Sequence, residues 1–172
     1  MWALYVLTMS DIEIQKSINE YLEARKKILD VGRKYPDRIG GNDNIIGRIG
    51  EFIALRFLES IGQKPIMAES SSNKGYDLIQ NKILTHVKVI TSENKNGRNV
   101  RLKKPWTQFL LIELGDNYTP KRIGLITETQ HQEALKENKT WSLNPYVKLT
   151  MLGKKGMVGR YGKVYCENEI SI

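Results

Sequence analysis

The chain has 172 residues, which fits one domain, and its 40% hydrophobic and 27% charged residues are typical of a folded globular protein rather than a disordered one. Lys and Arg total 27 against 19 Asp and Glu, and a net charge of +8 attracts polyanions. The single cysteine excludes an internal disulfide framework, and two histidines are too few for a multi-histidine metal cage. The apolar residues 1–9 lack a basic flank and are too short to span a bilayer, so we expect a cytoplasmic protein without a membrane partner.

Two helices are predicted in the first sixty residues. Ser10 and Glu13 have the spacing of a capping box, and apolar residues recur behind them at helical spacing as far as Gly32. Charged residues occupy the other side, so this helix is expected to pack on one face. A loop over 33–43 precedes a second helix over 44–61, whose core-facing residues are expected to be Ile46, Ile49, Ile53, Phe57 and Ile61.

Strands are predicted after Gly62, where the apolar runs become short. The candidates are the brief segment 65–68 and the runs 76–79, 83–91, 109–114 and 123–127. The run 109–114 is the most apolar, which favours a central strand buried on both faces. Residues 92–104 are polar and basic and are predicted to form a loop or hairpin tip.

A short helix near 129–138 and a C-terminal stretch rich in glycine and lysine complete the chain. This order predicts one α/β domain in which a central sheet is flanked by helices. We divide the domain into an N-terminal helical part (1–43), a core (44–127) and a basic C-terminal part (128–172).

The most informative stretch is Gly75-Tyr-Asp77, followed by His86-Val-Lys88. Side chains alternate along a strand, so His86 and Lys88 are expected on the same face. A tight turn brings Asp77 back beside them. A carboxylate, a potential metal ligand and an amine are the groups that metal-assisted phosphodiester hydrolysis needs. The alternative interpretation is a solvated strand face with an ordinary hairpin aspartate.

A second carboxylate, Glu51, lies on the second helix one turn from the small residues Gly47 and Ala54. Small residues let a helix approach another element closely. Glu51 is therefore a candidate for the same site, and the alternative is a border residue satisfied by its neighbours.

Two basic segments flank this region. Residues 92–104 contain one acid, and residues 138–166 contain none. The candidate nucleic-acid-binding residues in them are Lys95, Arg98, Arg101, Lys103, Lys104, Lys154, Lys155 and Arg160. If Lys154, Lys155 and Arg160 lie on the same face as Asp77 and Lys88, one binding groove spans both halves of the chain. The alternative is a solvated surface.

These features together resemble the PD-(D/E)XK nuclease superfamily, which includes restriction endonucleases and Holliday-junction resolvases. The resemblance covers residues 44–127: a helix with Glu51, a Gly-x-Asp strand, an x-x-Lys strand, a basic loop and an apolar strand. It implies that Asp77 binds metal, that Lys88 is the catalytic lysine and that Glu51 is an additional ligand. It also implies a mixed four-stranded sheet with a helix on each side, and Mg²⁺ as the usual cofactor.

His86 departs from the pattern, because the family has Glu, Asp or sometimes Gln at that position. Imidazole suits Mn²⁺, Fe²⁺ or Zn²⁺ better than Mg²⁺. Three interpretations are open. His86 is itself a catalytic metal ligand with Asp77 and Glu51; or the missing carboxylate comes from Glu51, Glu69 or Glu113; or catalysis is lost and DNA binding is kept.

The expected function is a metal-dependent DNA endonuclease of restriction type that uses Mg²⁺ or Mn²⁺, with a homodimer through the first helix as one arrangement. The alternatives are a non-catalytic nucleic-acid-binding protein on the same fold, and an interaction domain whose basic charge is incidental. Binding that weakens steeply with salt would separate the third class from the others, and metal-dependent cleavage would separate the first from the second.

Overall fold

A computed structural model describes residues 9–34, 45–68, 75–92 and 100–172. The chain divides into two compact units, Met1–Ile45 and Ile46–Ile172. The predicted loop over 33–43 lies almost wholly outside the described residues.

The described part of the first unit is helix α1 (Met9–Lys34), which confirms the predicted helix. It continues two residues beyond Gly32, since one glycine costs a helix only about 1 kcal/mol. On the face expected to be packed, Leu22 is buried, whereas Ile14 is 43% exposed.

The second unit begins with helix α2 (Ile45–Ser60), again close to the predicted bounds. Four of the five residues expected to face the core are buried. Ile61 is not, because the helix ends at Ser60 and Ile61 lies in the following turn, where it is 37% exposed.

The described residues after α2 form six strands and two further helices. The strands are β1 (Ile66–Met67), β2 (Leu78–Gln80), β3 (Ile83–Ile90), β4 (Gln108–Leu114), β5 (Pro120–Thr127) and β6 (Lys163–Cys166). The helices are α3 (Glu128–Glu137) and α4 (Met157–Tyr161), and short 3₁₀ turns cover Leu149–Leu152 and Glu167–Glu169.

All six strands form one sheet in the order β1-β2-β3-β4-β5-β6. Only β3 and β4 are parallel; the other neighbours are antiparallel. The predicted α/β class with a central mixed sheet is confirmed. The sheet has six strands rather than four, because the two-residue β1 and the four-residue β6 add one strand at each edge.

Strand β4 lies at the centre, and all seven of its residues are buried. A strand covered on both faces needs a continuous apolar run rather than alternation, which is what residues 109–114 provide. The prediction of a central strand there is confirmed.

Helix α2 covers one face of the sheet. The Phe57 ring packs edge-on against Tyr165 of β6 with 4.9 Å between ring centroids, and Gly50 lies directly against Val89 of β3. Strand register aligns Val89 with Tyr165 through β4 and β5, so both contacts are on the same face.

The opposite face carries Lys88. Its register partners across the sheet are Leu111 and then Gly124. A side chain at Gly124 would collide with Leu152 and Val158, so the segment 149–161 packs directly on this face. The structure therefore places the segment 149–161 and Lys88 on the same side of the sheet.

Among the described residues, no helix is long and apolar enough to cross a membrane.

Candidate active site at the open edge of strand β3

The predicted acid, Asp77, lies just before β2, at the point along β3 where the pairing with β2 ends. Within the described chain, β2 pairs only with the first three residues of β3, Ile83–Thr85. The Asp77 N–H donates to the Thr85 carbonyl (2.8 Å), and the Val87 N–H donates to Oδ2 of Asp77 (2.7 Å). The Asp77 carboxylate thus accepts the hydrogen bond that a backbone carbonyl of a neighbouring strand would otherwise accept from Val87. Its charge is held beside Val87, the residue before Lys88.

The glycine of the Gly-x-Asp motif is required by the backbone. Gly75 has φ of 104°, a conformation that other residues rarely adopt, and a Cβ atom there would collide with the backbone of Pro105. This close approach brings the end of the basic loop against the start of the hairpin.

His86 is buried beneath this contact, with 7% of its surface exposed. Its ring lies edge-on to Phe109 with 6.3 Å between centroids. Its Nδ1 atom has no hydrogen-bond partner within the described part of the chain. The side chain therefore packs as part of the core on this face of the sheet.

Burial and, second, the positive charge of Lys88 lower the pKa of His86 from 6.5 to about 4. The Asp77 carboxylate and the backbone groups of Gly75 and Lys103 act in the opposite sense and are weaker. The imidazole is consequently neutral at physiological pH, the form in which a ring nitrogen can bind a metal.

Glu51 approaches the same edge from α2. Its Oε2 atom accepts a hydrogen bond from Arg48 (3.1 Å), and 17% of its side chain is exposed. Burial raises the pKa of Glu51, and the negative charge of Asp77 raises it further; Arg48 and, least, Lys88 act against this. Two carboxylates therefore lie close enough to repel each other, an arrangement that a bound cation relieves.

The three predicted ligands do not converge as one group. Helix α2 packs on the sheet face of Val89, whereas His86 is on the opposite face, so Glu51 and His86 approach Asp77 from different sides. Across residues 9–34, 45–68, 75–92 and 100–172, no cluster of three or more His, Cys, Asp or Glu side chains is placed to hold a metal ion. Asp77 and Glu51 remain a fitting pair, since proteins commonly hold Mg²⁺ through one or two carboxylates, with waters and substrate phosphates completing the shell.

The other candidate carboxylates are elsewhere. Glu113 forms an ion pair with Arg122 on the neighbouring strand β5. Glu69 lies outside the described residues. Among the described candidates, Glu51 is the one for which an interaction with the charge of Asp77 is found.

Two cations of the basic loop are engaged within the protein. The Arg101 guanidinium lies 4.2 Å from the centre of the Tyr146 ring and also donates to its hydroxyl group. Lys104 pairs with Glu128 (2.7 Å). Lys103 is exposed. Lys95 and Arg98 fall outside the described residues.

The C-terminal cations likewise include one paired side chain and two exposed ones. Arg160 forms an ion pair with Glu137 of α3 (3.4 Å), while Lys154 and Lys155 are exposed. Trp106, at the end of the basic loop, is only 2% exposed and packs against Phe109 and His131. It fills the core and has no face available for a base.

Sequence reasoning missed Arg48 as the partner of Glu51, although the spacing of three residues on a helix was a usable signal. It also missed the burial of His86, for which the printed sequence carries no local sign.

No known family model matches the chain, and no curated protein matches it.

Proposed function

We propose that this protein is a metal-dependent DNA endonuclease of the PD-(D/E)XK type, with its reaction centre at the open edge of β3. The observation that carries the proposal is the placement of Asp77 beside Lys88, fixed by the hydrogen bond from the Val87 N–H, and its electrostatic coupling to Glu51, whose pKa is raised first by burial and then by the charge of Asp77. Such coupling works against folding, and perturbed carboxylates of this kind concentrate at functional sites.

Asp77 and Glu51 are the residues that hold the divalent cation, Mg²⁺ or Mn²⁺. When bound, such an ion polarises a phosphoryl oxygen and lowers the pKa of a coordinated water. The Val87 N–H fixes one oxygen of Asp77, so the carboxylate keeps a single orientation toward the edge.

Lys88 supplies the positive charge for the scissile phosphate or orients the attacking water. Lys88 lies on β3 directly after Val87, whose N–H donates to Asp77. His86 contributes a neutral, packed ring beneath this edge and adds no charge to it at physiological pH. Because the His86 ring is neutral, Lys88 supplies the positive charge of the proposed reaction centre.

A second candidate function is DNA binding without cleavage. It is favoured by one observation: the family's second carboxylate is replaced by His86, which does not join Asp77 and Glu51 in one cluster. The exposed lysines Lys103, Lys154 and Lys155 would serve phosphate binding in either case.

Incubation of supercoiled plasmid DNA with the protein in Mg²⁺, Mn²⁺ or EDTA separates these functions. We expect nicked or linear product with either metal and none in EDTA. Lys88→Met, which keeps most of the side chain's aliphatic length, is expected to bind DNA and to leave the plasmid uncut. Cleavage that persists in EDTA or in Lys88→Met would contradict the nuclease proposal, and binding without cleavage in both metals would favour the second candidate.

A further inference from the structure

The C-terminal part contains an open cavity of about 560 Å³ that the β3 edge does not share. Its walls include Trp141 and Tyr146, two lysines, Lys148 and Lys155, and a methionine from the 3₁₀ turn, Met151. The volume is in the range of small-molecule sites.

The first aromatic wall, Trp141, is fixed by a residue that does not itself line the cavity. Trp141 packs edge-on against Tyr161, with 5.7 Å between ring centroids and an angle of 83° between the planes. The Tyr161 hydroxyl in turn donates to Glu137 of α3. The indole is thereby positioned before any ligand arrives.

The second aromatic wall is fixed to a different segment of chain. Tyr146 forms a β-bridge with Arg101, and the Val147 N–H donates to the Val100 carbonyl (2.9 Å). The Arg101 side chain covers the ring of Tyr146. Two independently anchored aromatic residues therefore line one opening.

Aromatic faces and ammonium groups together suit a ligand that is planar at one end and anionic at the other. Aromatic side chains stack on bases of any sequence, and lysines bind phosphate as point charges. We infer that this cavity binds a nucleotide, with its base against Trp141 and its phosphate beside Lys148 and Lys155. The site does not depend on cleavage at the β3 edge.

The nucleotide has two sources, a free mononucleotide or one unit of a single strand. Isothermal titration calorimetry with adenosine 5′-monophosphate and with a five-nucleotide oligodeoxyadenylate distinguishes them. Saturable binding of the mononucleotide shows that a free nucleotide suffices, and binding of the oligonucleotide alone assigns the site to a strand.

In either arm Trp141→Ala is expected to weaken binding about 5- to 150-fold, the effect of losing one base stack. Lys155→Ala is expected to reduce the dependence of log K on log salt for the oligonucleotide by about 0.7. Lys139→Ala is the control, because Lys139 is an equally exposed lysine beside the cavity but outside its lining.

Wild-type affinity in Trp141→Ala and Lys155→Ala, or no binding of either probe to the wild type, would overturn the inference. Circular dichroism checks that the variants fold, and if Trp141→Ala does not, the exposed Lys155→Ala decides alone. If the nucleotide binds as expected but plasmid DNA is not cleaved, the proposed function is contradicted and the nucleotide site is not. If plasmid DNA is cleaved but neither probe binds, the nucleotide site is contradicted and the proposed function is not.

Discussion

The β3 edge and the basic segments treat their charges in opposite ways. At the β3 edge, burial raises the pKa of Glu51, and the negative charge of Asp77 raises it further. In the basic segments, Arg160 is paired with Glu137 and Lys104 with Glu128. The charge of Glu51 thus stays unfavourable although Arg48 pairs with it, whereas the basic segments have balanced part of their charges with ion pairs.

The difference shows that a run of like charges is a weak indicator of a site. A long side chain on the surface can find a partner at little cost, and many of the lysines and arginines here do so or stay in solvent. Glu51, largely buried beside Asp77, keeps a raised pKa even though Arg48 donates a hydrogen bond to it. Charges that oppose folding are therefore better evidence for function than charges that are merely numerous.

The largest effect is expected from Asp77. Asp77→Asn keeps an amide oxygen to accept the Val87 N–H but removes the charge, so cleavage should be lost with little change in stability. Asp77→Ala should lose cleavage too, and it should also cost about 1–3 kcal/mol of unfolding free energy, because the Val87 N–H is left without its acceptor. Plasmid cleavage and urea midpoints measure the two effects. Wild-type cleavage by Asp77→Asn would remove Asp77 from the reaction centre.

His86 is expected to make stability depend on pH. Its pKa is lowered in the folded state from 6.5 to about 4, so the unfolded chain takes up the proton first as the pH falls. Stability present above pH 6.5 is lost progressively toward pH 4, by up to about 3 kcal/mol.

His86→Gln does not titrate and should lose less stability over that range. The comparison must be made against the wild type at each pH, because burial also lowers the pKa of His131 and adds a loss of the same sign to both proteins. Urea unfolding at pH 7 and pH 4.5 provides the measurement. Equal losses in the two proteins would show that His86 is not the group responsible.

Glu51 and Glu59 form a matched pair on α2, since each accepts an ion pair from an arginine three residues earlier. The raised pKa of Glu51 means that its charged form opposes folding at neutral pH. Glu51→Gln should therefore raise the melting temperature at pH 7 while lowering metal-dependent cleavage. Glu59→Gln should keep cleavage and lose about 1–3 kcal/mol of unfolding free energy, because the buried Arg56 guanidinium loses a charged acceptor. Melting temperatures of Glu51→Gln below those of the wild type would contradict the electrostatic account.

The smallest effect concerns the basic loop, where Lys103 is exposed and Lys104 is paired with Glu128. Lys103→Ala should reduce the slope of log K against log salt for duplex DNA by about 0.9, the value for one phosphate contact. Lys104→Ala should leave that slope unchanged. Equal changes in both variants would mean that the ion pair opens when DNA binds.

Sequence reasoning located the longer elements well because their hydrophobic periodicity is strong. Strands β3 and β4 and helix α3 were expected within one residue of their observed bounds, and α3 carries a capping box between Thr127 and Gln130. Strand β6 was missed because it has four residues and no buried one. Its position depends on pairing with β5, which local sequence does not specify.

The same limit applies to the site. Alternation along β3 was enough to put His86 and Lys88 on the same face, and the hairpin was enough to bring Asp77 beside them. Contacts between distant segments determine from which side of the sheet Glu51 approaches and how His86 is buried. They also determine the ion-pair partners of Arg160 and Lys104. No spacing rule contains that information.

Titration with Mn²⁺, followed by the electron paramagnetic resonance signal of the free ion, tests the central claim most directly. The account predicts a site in the wild type and in Glu59→Gln that is weakened in Glu51→Gln and lost in Asp77→Asn. Unchanged Mn²⁺ binding in both Glu51→Gln and Asp77→Asn would show that these two carboxylates do not hold a cation at the β3 edge.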